Sequence, residues 1–246
     1  GFFYNEYSLT GSKNSKFKRN YFSESNARKI DSIRLMIEEW YQNNYINEEE
    51  YYILISSLIE ATTKVSNTSG TYGAFLKFDD YRKNKPLMLE PIEFIKSEYE
   101  HSVYCEDIFQ IINKIHGDIL YLDPPYNNRQ YPPYYHILET VTLYDNPAIY
   151  GKTGRRPYKD KISPFCIKKS VSYALERLID EADFDHIFLS YNTDGLLSKL
   201  EIKDTLSKYG PVSVFRQSYR RYKSNSNGIP KKNKLKELIF YVKKKS

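Results

Sequence analysis

Cysteine is almost missing from this chain. Cys105 and Cys166 are its only two, far apart and without a partnering pattern, so neither a disulfide framework nor a zinc site is expected. A reducing, cytoplasmic setting fits that usage. Long apolar runs are missing too: nothing approaches the roughly 18 residues that a membrane-spanning helix needs, and a soluble protein is expected. Disorder is not indicated either, because 246 residues with 40% hydrophobic content can bury a sizeable core in one large or two small domains.

What is abundant is tyrosine, 25 residues of it, alongside many lysines and asparagines. The net charge of +6 is unevenly spread: residues 201–246 hold 13 Lys/Arg against 3 Asp/Glu, a balance of +10 that leaves −4 for residues 1–200. A basic, tyrosine-rich tail suits nucleic acid, and equally suits simple solvation.

The chain is organised around Ile119 to Tyr131, ILYLDPPYNNRQY. Ile119 to Leu122 form a short continuous apolar run, the pattern of a central strand buried on both faces. Pro124 and Pro125 offer no N–H and fix their own φ, so the chain must leave the sheet there in a rigid, extended shape. Asp123 then sits at the carboxyl end of a strand, where open α/β sheets bind ligands. A fixed carboxylate, the Pro124 carbonyl and the flat ring of Tyr126 describe a socket for a planar amine. Two acceptors hold the hydrogens of an exocyclic NH2 while the ring stacks on its heterocycle. A base inside a duplex is out of reach, so such a socket implies base flipping.

Around it the periodicity predicts helices over approximately 23–41, capped by Ser23 or Ser25, and from Asn47 onward, with Glu50 completing a capping box. The first 22 residues read as loop and short extended pieces. Val65 to Phe78, rich in hydroxyl and glycine residues, reads as a segment able to follow a phosphate backbone, or as a solvated linker. Val103 to Asp107 reads as a strand ending in acids, followed by an amphipathic stretch to Ile115. Further on, a helix over 168–182, a buried strand at His186–Leu189 and a helix over 196–209 lead to two β-rich runs, 212–219 and 235–242, predicted to pair antiparallel.

Asp123-Pro124-Pro125-Tyr126 resembles the catalytic motif of adenine-N6 DNA methyltransferases. The longer DPPYNNRQY, followed by Tyr135-His136-Ile137-Leu138-Glu139-Thr140, resembles the Dam-like class among them, particularly type II restriction-modification methylases. The resemblance implies an α/β fold, a Rossmann-like methyltransferase sheet joined to a mainly helical target-recognition region. It assigns approximately residues 1–98 to recognition and 99–246 to the catalytic core. S-adenosyl-L-methionine is then the cofactor and double-stranded DNA the partner, with no metal needed. Asp123, Pro124, Pro125 and Tyr126 carry the catalytic role, and Asp107, or its neighbour Glu106, meets the cofactor's adenine beside Asp123, unless the acid merely caps a helix. Asn127, Arg129, Gln130, Tyr131, Arg155, Arg156, Arg220, Arg221 and Lys223 are the DNA-contact candidates. Tyr191 either packs beneath the flipped base or is a core tyrosine. An RNA-modifying methyltransferase and a non-catalytic DNA-binding relic or subunit are the alternatives.

The resemblance also implies a Phe-x-Gly-x-Gly turn after a first strand, which cradles the cofactor's methionine part. No glycine turn precedes Asp123 in that context: Gly70 and Gly73 lie in SGTYG with no apolar strand leading in. The expectation is therefore a sheet incomplete on its amino-terminal side, with the glycine-rich strand supplied by a further segment or a second polypeptide.

Overall fold

The computed structural model describes residues 1–219 and 235–244. Its helices are α1 (Phe2–Tyr7), α2 (Glu24–Gln42), α3 (Glu48–Lys64), α4 (Ile108–Ile111), α5 (Pro132–Leu143), α6 (Val171–Glu181) and α7 (Lys199–Ser207). Its strands are β1 (His116–Leu122), β2 (Asp183–Asn192), β3 (Val212–Tyr219) and β4 (Leu235–Lys243). They group into a helical unit, Gly1–Glu98 with Tyr131–Asp160, and a sheet unit, Tyr99–Gln130 with Lys161–Ser246. Residues 131–160, which the sequence division had put with the catalytic part, thus group with the helices. The reason is the apolar face of α5: Ile137 and Val141 are buried in one cluster with Phe3, Phe22, Ile30, Ile55 and Leu58.

In the helical unit, the opening residues form a helix where loop was expected. Phe3 and Tyr7, four apart, share one buried face, and the Asp31 carboxylate on α2 accepts the amides of Phe3 (2.8 Å) and Tyr4 (2.9 Å). That cap comes from 28 residues away, so no local pattern announces it. Helix α2 starts as its sequence dictates, with Ser23 accepting from the Asn26 amide at 3.3 Å. In α3 the reciprocal box forms, Glu50 N to Asn47 Oδ1 at 2.9 Å and Asn47 N to Glu50 Oε2 at 2.8 Å. The segment after α3 is buried at its start, where Ser66, Asn67 and Thr68 are covered, and exposed at Ser69, Gly70, Ala74, Lys77 and Phe78. Asn67 acts as a staple, donating to the carbonyls of Asn20 (2.9 Å) and Leu76 (3.2 Å) and accepting from the Asp80 amide.

His136 on α5 lies deep in this unit, with Nε2 3.0 Å from the Tyr72 carbonyl and Nδ1 without a partner. A carbonyl only accepts, so Nε2 carries the proton and the ring is neutral. Burial, opposed by the Tyr72 hydrogen bond and helped by Arg155, Arg156 and Arg19, pushes its pKa down to about 4. Below the ordinary value near 6.5 the unfolded chain takes up a proton that the folded unit refuses. Stability is therefore complete above about pH 6.5 and falls as the pH drops toward 4, by up to about 3 kcal/mol. Denaturant melts of wild type and His136→Gln at pH 7 and pH 4.5 test this: the gap between them should shrink or invert on acidification, and a pH-independent gap would refute it.

In the sheet unit the strand order is β1-β2-β4-β3, with β1 parallel to β2 and the other two pairs antiparallel. The antiparallel pair of β3 and β4 forms as the sequence predicts. One face is closed. Leu120, Leu122, Ile187, Leu189, Phe240 and Val242 pack with Leu175, Leu178 and Ile179 of α6 and Ile202 and Leu206 of α7. The helical spacing of Val171, Ala174, Leu175, Leu178 and Ile179 supplies that apolar stripe.

The strand before Asp123 is not central and not buried on both faces: among the described residues β1 is the sheet edge, and Ile119 and Tyr121 are 63% and 60% exposed. Its apolar run reads as doubly buried because both faces are apolar, yet only one is covered. Register pairs Ile119 with His186, Tyr121 with Phe188, Phe188 with Tyr241 and Phe215 with Ile239, so these residues share the opposite face. That face has Phe215 exposed and His186, Phe188, Ile239 and Tyr241 only half-buried. Val103 to Asp107, moreover, is no strand: the residues are exposed and pair with none of the described strands, because β propensity without a neighbour does not make a ladder.

Candidate active site

Asp123 follows the last residue of β1 and begins a loop without regular structure. Its carboxylate is exposed and forms no ion pair among the described residues, so it is neither buried inward nor locked to a lysine. Pro124, Pro125 and Tyr126 are half-buried. The loop is fixed from behind by β2 and the turn after it. The Tyr126 carbonyl accepts from the Leu196 amide at 2.7 Å and from the Tyr191 hydroxyl at 3.4 Å. Tyr191 also accepts from the Leu197 amide at 3.2 Å and meets the Tyr126 ring edge-on, centroids 6.3 Å apart. Tyr191 is buried, and burial raises its phenol pKa. Of the two readings for Tyr191, the geometry is that of a core tyrosine which seats Tyr126.

The far end of the loop is held as firmly. Gln130 donates Nε2 to the Ser163 carbonyl (3.0 Å) and accepts the Ser163 amide on Oε1 (2.8 Å). Both ends of its amide are thereby occupied, and its side chain works as a clamp on the loop. Cys166 Sγ donates to the Arg129 carbonyl at 3.3 Å, and Asn127 Oδ1 accepts the Arg129 amide at 2.9 Å, closing a short turn. Asp123 through Gln130 is therefore one constrained loop, braced by Ser163, Cys166, Tyr191 and Leu196. Sequence reading missed Ser163 and Leu196, which act through backbone atoms; only Ser163-Pro164, a helix-start pair, gave a local sign of the turn that presents Ser163.

The other candidates divide between the units. Asp107 is exposed and caps the short α4, accepting the Phe109 amide at 2.9 Å. In the helical unit, Tyr131 packs its ring against Tyr135 at 5.8 Å. Arg155 lies over the Tyr150 ring at 5.3 Å, and Arg156 forms a fork to Asp145 at 2.6 and 2.7 Å. Arg220, Arg221 and Lys223 lie outside the described residues.

For a cofactor the fit is partial. Among the described residues, the glycines with positive φ, Gly70, Gly151 and Gly154, all belong to the helical unit and none follows a strand of the sheet. The described residues thus offer the Asp123–Tyr126 loop but no glycine cradle for a sulfonium donor. They also contain no group of three or more His, Cys, Asp or Glu placed to hold a metal ion, and no described helix is long and apolar enough to cross a membrane.

Residues 2–205 match the family model of the D12 class N6 adenine-specific DNA methyltransferases. The chain belongs to that family. Among similar proteins, the type II methyltransferase M.FokI of Planomicrobium okeanokoites is 45% identical over 230 residues, 92% of this chain but 35% of that protein. M.NlaIII of Neisseria lactamica is 43% identical over 246 residues, 99% of this chain and 72% of that protein. Modification methylase StsI of Streptococcus sanguinis is 38% identical over 248 residues, covering all of this chain and 37% of its own length. This chain therefore spans little more than a third of M.FokI and StsI and under three quarters of M.NlaIII. No solved structure matches it.

Proposed function

We propose that this D12 chain carries the catalytic loop of a site-specific DNA adenine-N6 methyltransferase, the protective member of a restriction-modification system working in the cytoplasm. The observation that carries the reading is Asp123: an exposed, unpaired carboxylate at the carboxyl end of β1, ahead of two prolines and a braced tyrosine. In this reading Asp123 and the Pro124 carbonyl accept the two hydrogens of the target amine and point its lone pair outward. Tyr126 stacks on the flipped base, and Pro125 keeps the elbow stiff. S-adenosyl-L-methionine, when bound, supplies the electrophilic methyl group; Asp107 remains a candidate for its adenine. The chain's own contribution is positioning and electrostatics. Residues 1–98 serve target recognition, and Asn127, Arg129, Tyr131, Arg155 and Arg156 are candidates for contact with duplex DNA.

Among the described residues one sheet face is uncovered and the edge of β1 is unpaired, which supports a further element of this function. A parallel pair is ordinarily covered on both faces, and an edge with free N–H and C=O groups accepts another strand. We take a further segment, of the same protein or of a second polypeptide, to add a strand beside β1 and to complete the cofactor site. The test combines two measurements. Labelled S-adenosylmethionine with duplex DNA or with RNA should give N6-methyladenine in DNA alone; label in RNA alone overturns the DNA reading. Isothermal titration of the 246-residue chain should show weak cofactor binding, and micromolar binding by the chain on its own overturns the need for the added segment.

A further inference from the structure

The loop after α1 and the hairpin closed by Tyr150 and Arg155 are distant in sequence, and the helical unit joins them. The hairpin's two strands bridge through paired backbone bonds, Tyr150 N to Arg155 O at 2.9 Å and Arg155 N to Tyr150 O at 3.0 Å. Its inner rim faces the other loop. Tyr7 donates to the Gly154 carbonyl (2.9 Å), Tyr21 to the Thr153 carbonyl (3.2 Å) and Arg19 Nη2 to the Gly151 carbonyl (3.3 Å). Arg19 is buried, and its own amide donates to Ser12 Oγ at 2.9 Å, which closes the loop that carries Lys13, Lys16 and Lys18. Gly154 has φ +65°, and a Cβ there would stand 2.8 Å from Arg19 Nε, so only glycine lets the two pieces approach this closely. Lys18 and Lys152 are thus each one residue away from the two ends of a single hydrogen bond.

Charge bookkeeping around this junction is one-sided. Glu6 is taken up by Arg19 (3.0 Å) and Asp145 by Arg156, while Asp79 pairs with Lys83 at 2.7 Å. The outer cations are left uncompensated: Lys13, Lys16, Lys18 and Lys152 are exposed and make no ion pair among the described residues. Arg155, on the same hairpin as Lys152, is half-buried with its guanidinium over the Tyr150 ring and its Nε lacking a hydrogen-bond partner. Four exposed ammonium groups without a carboxylate partner among the described residues, of which only Lys16 has an aromatic neighbour there, Phe17 at 5.6 Å, sit on two stapled loops and match a polyanion of regular charge spacing better than a single anion.

We propose that Lys13, Lys16 and Lys18 on the first loop and Lys152 on the hairpin form one phosphate-docking face for duplex DNA. The face positions the duplex and reads no bases, since ammonium groups on flexible stems address phosphates. This inference rests on the reading that the chain acts on duplex DNA, and it assigns that contact to a loop that carries no methyltransferase motif.

The test is the salt dependence of binding between the full chain and a duplex of arbitrary sequence. Each phosphate contact removed lowers the slope of log K against log salt by about 0.9. Lys16→Ala/Lys18→Ala should therefore lose nearly two units of slope and Lys152→Ala nearly one, by similar amounts on unrelated duplexes, with unchanged thermal melts because these side chains are exposed. Lys199→Ala/Lys203→Ala removes the same charge from α7 and should keep the wild-type slope. Unchanged slopes in the loop variants, with wild type still binding duplex, overturn this face and leave the enzymatic reading standing. Equal losses in the α7 variant reduce it to a net-charge effect and overturn it as well. A wild-type chain with no salt-sensitive affinity for duplex removes both.

Discussion

Asp123→Ala is expected to lower methyl transfer by at least about 1,000-fold, roughly 4 kcal/mol of transition-state stabilisation, while duplex affinity stays within about twofold. The assay is N6-methyladenine formed per enzyme, on whichever form turns over, the chain by itself or the chain with its complementing segment. The asymmetry follows from where the carboxylate sits. It is exposed and makes no ion pair among the described residues, so its removal leaves no buried charge and no broken network, and the fold is untouched. What is lost is an acceptor aimed at the amine, at the one place where the strand ends and the prolines leave no N–H to compete. Asp123→Asn keeps the shape but presents a mixed donor and acceptor, and should be nearly as inactive. Tyr126→Ala should instead weaken capture of the flipped base, lowering the 2-aminopurine signal more than duplex affinity. Methylation at a normal rate by Asp123→Ala would take that residue out of the mechanism.

The parts of this fold that were legible in sequence are those whose cause is local. The helices α2 and α3 start where Ser23 and the Asn47–Glu50 pair say they do, because a cap is a contact across three residues. The start of the motif loop is likewise local, because a strand end and two prolines set where the chain leaves the sheet, while its bracing by Ser163, Cys166, Tyr191 and Leu196 is not. Elements settled by distant contacts were not legible. Helix α1 depends on a carboxylate 28 residues away; the face of α5 has the right apolar period but nothing in it names the helical cluster as its partner. For β1 the composition was read correctly as apolar on both faces, and the covering layer was assumed. Gln130 shows the same limit within the site. A polar residue after a catalytic motif looks like a substrate contact, and its commitment to the Ser163 backbone, 33 residues on, can only be seen in three dimensions.

Arg34→Ala should be strongly damaging to the helical unit, costing about 2–4 kcal/mol, chiefly from buried carbonyls left without a donor. Arg34 is buried, and its guanidinium forks over the end of α5, Nε to the Val141 carbonyl and Nη2 to the Thr142 carbonyl, both at 3.0 Å. Those carbonyls belong to the last turn of that helix, where intrahelical donors run out and the macrodipole is negative. The remaining donors reach Glu38 at 2.8 Å and the Tyr51 hydroxyl at 2.9 Å, so one side chain ties α2 to α3 and α5. Truncation leaves two carbonyls of the last α5 turn without their donor and takes the cation from Glu38, a half-exposed carboxylate that keeps its Tyr51 hydrogen bond. Arg34→Lys restores the charge without the fork and should recover only part of the loss. The pH dependence separates the ion pair from simple packing. The Arg34 hydrogen bond holds the Glu38 carboxyl below its ordinary range, with burial opposing and the Tyr51 hydroxyl helping. A depressed carboxylate stabilises the fold above its unfolded pKa, and that contribution disappears as the pH falls through the folded value. Wild type should therefore lose stability between about pH 5 and the depressed pKa of Glu38, and Arg34→Ala should lack that portion of the acid limb. Urea melts followed by helical ellipticity at pH 7 and at pH 3.5 give both quantities. A deficit below about 1 kcal/mol at pH 7, or one that does not narrow in acid, would show that Arg34 is not what binds these three helices together.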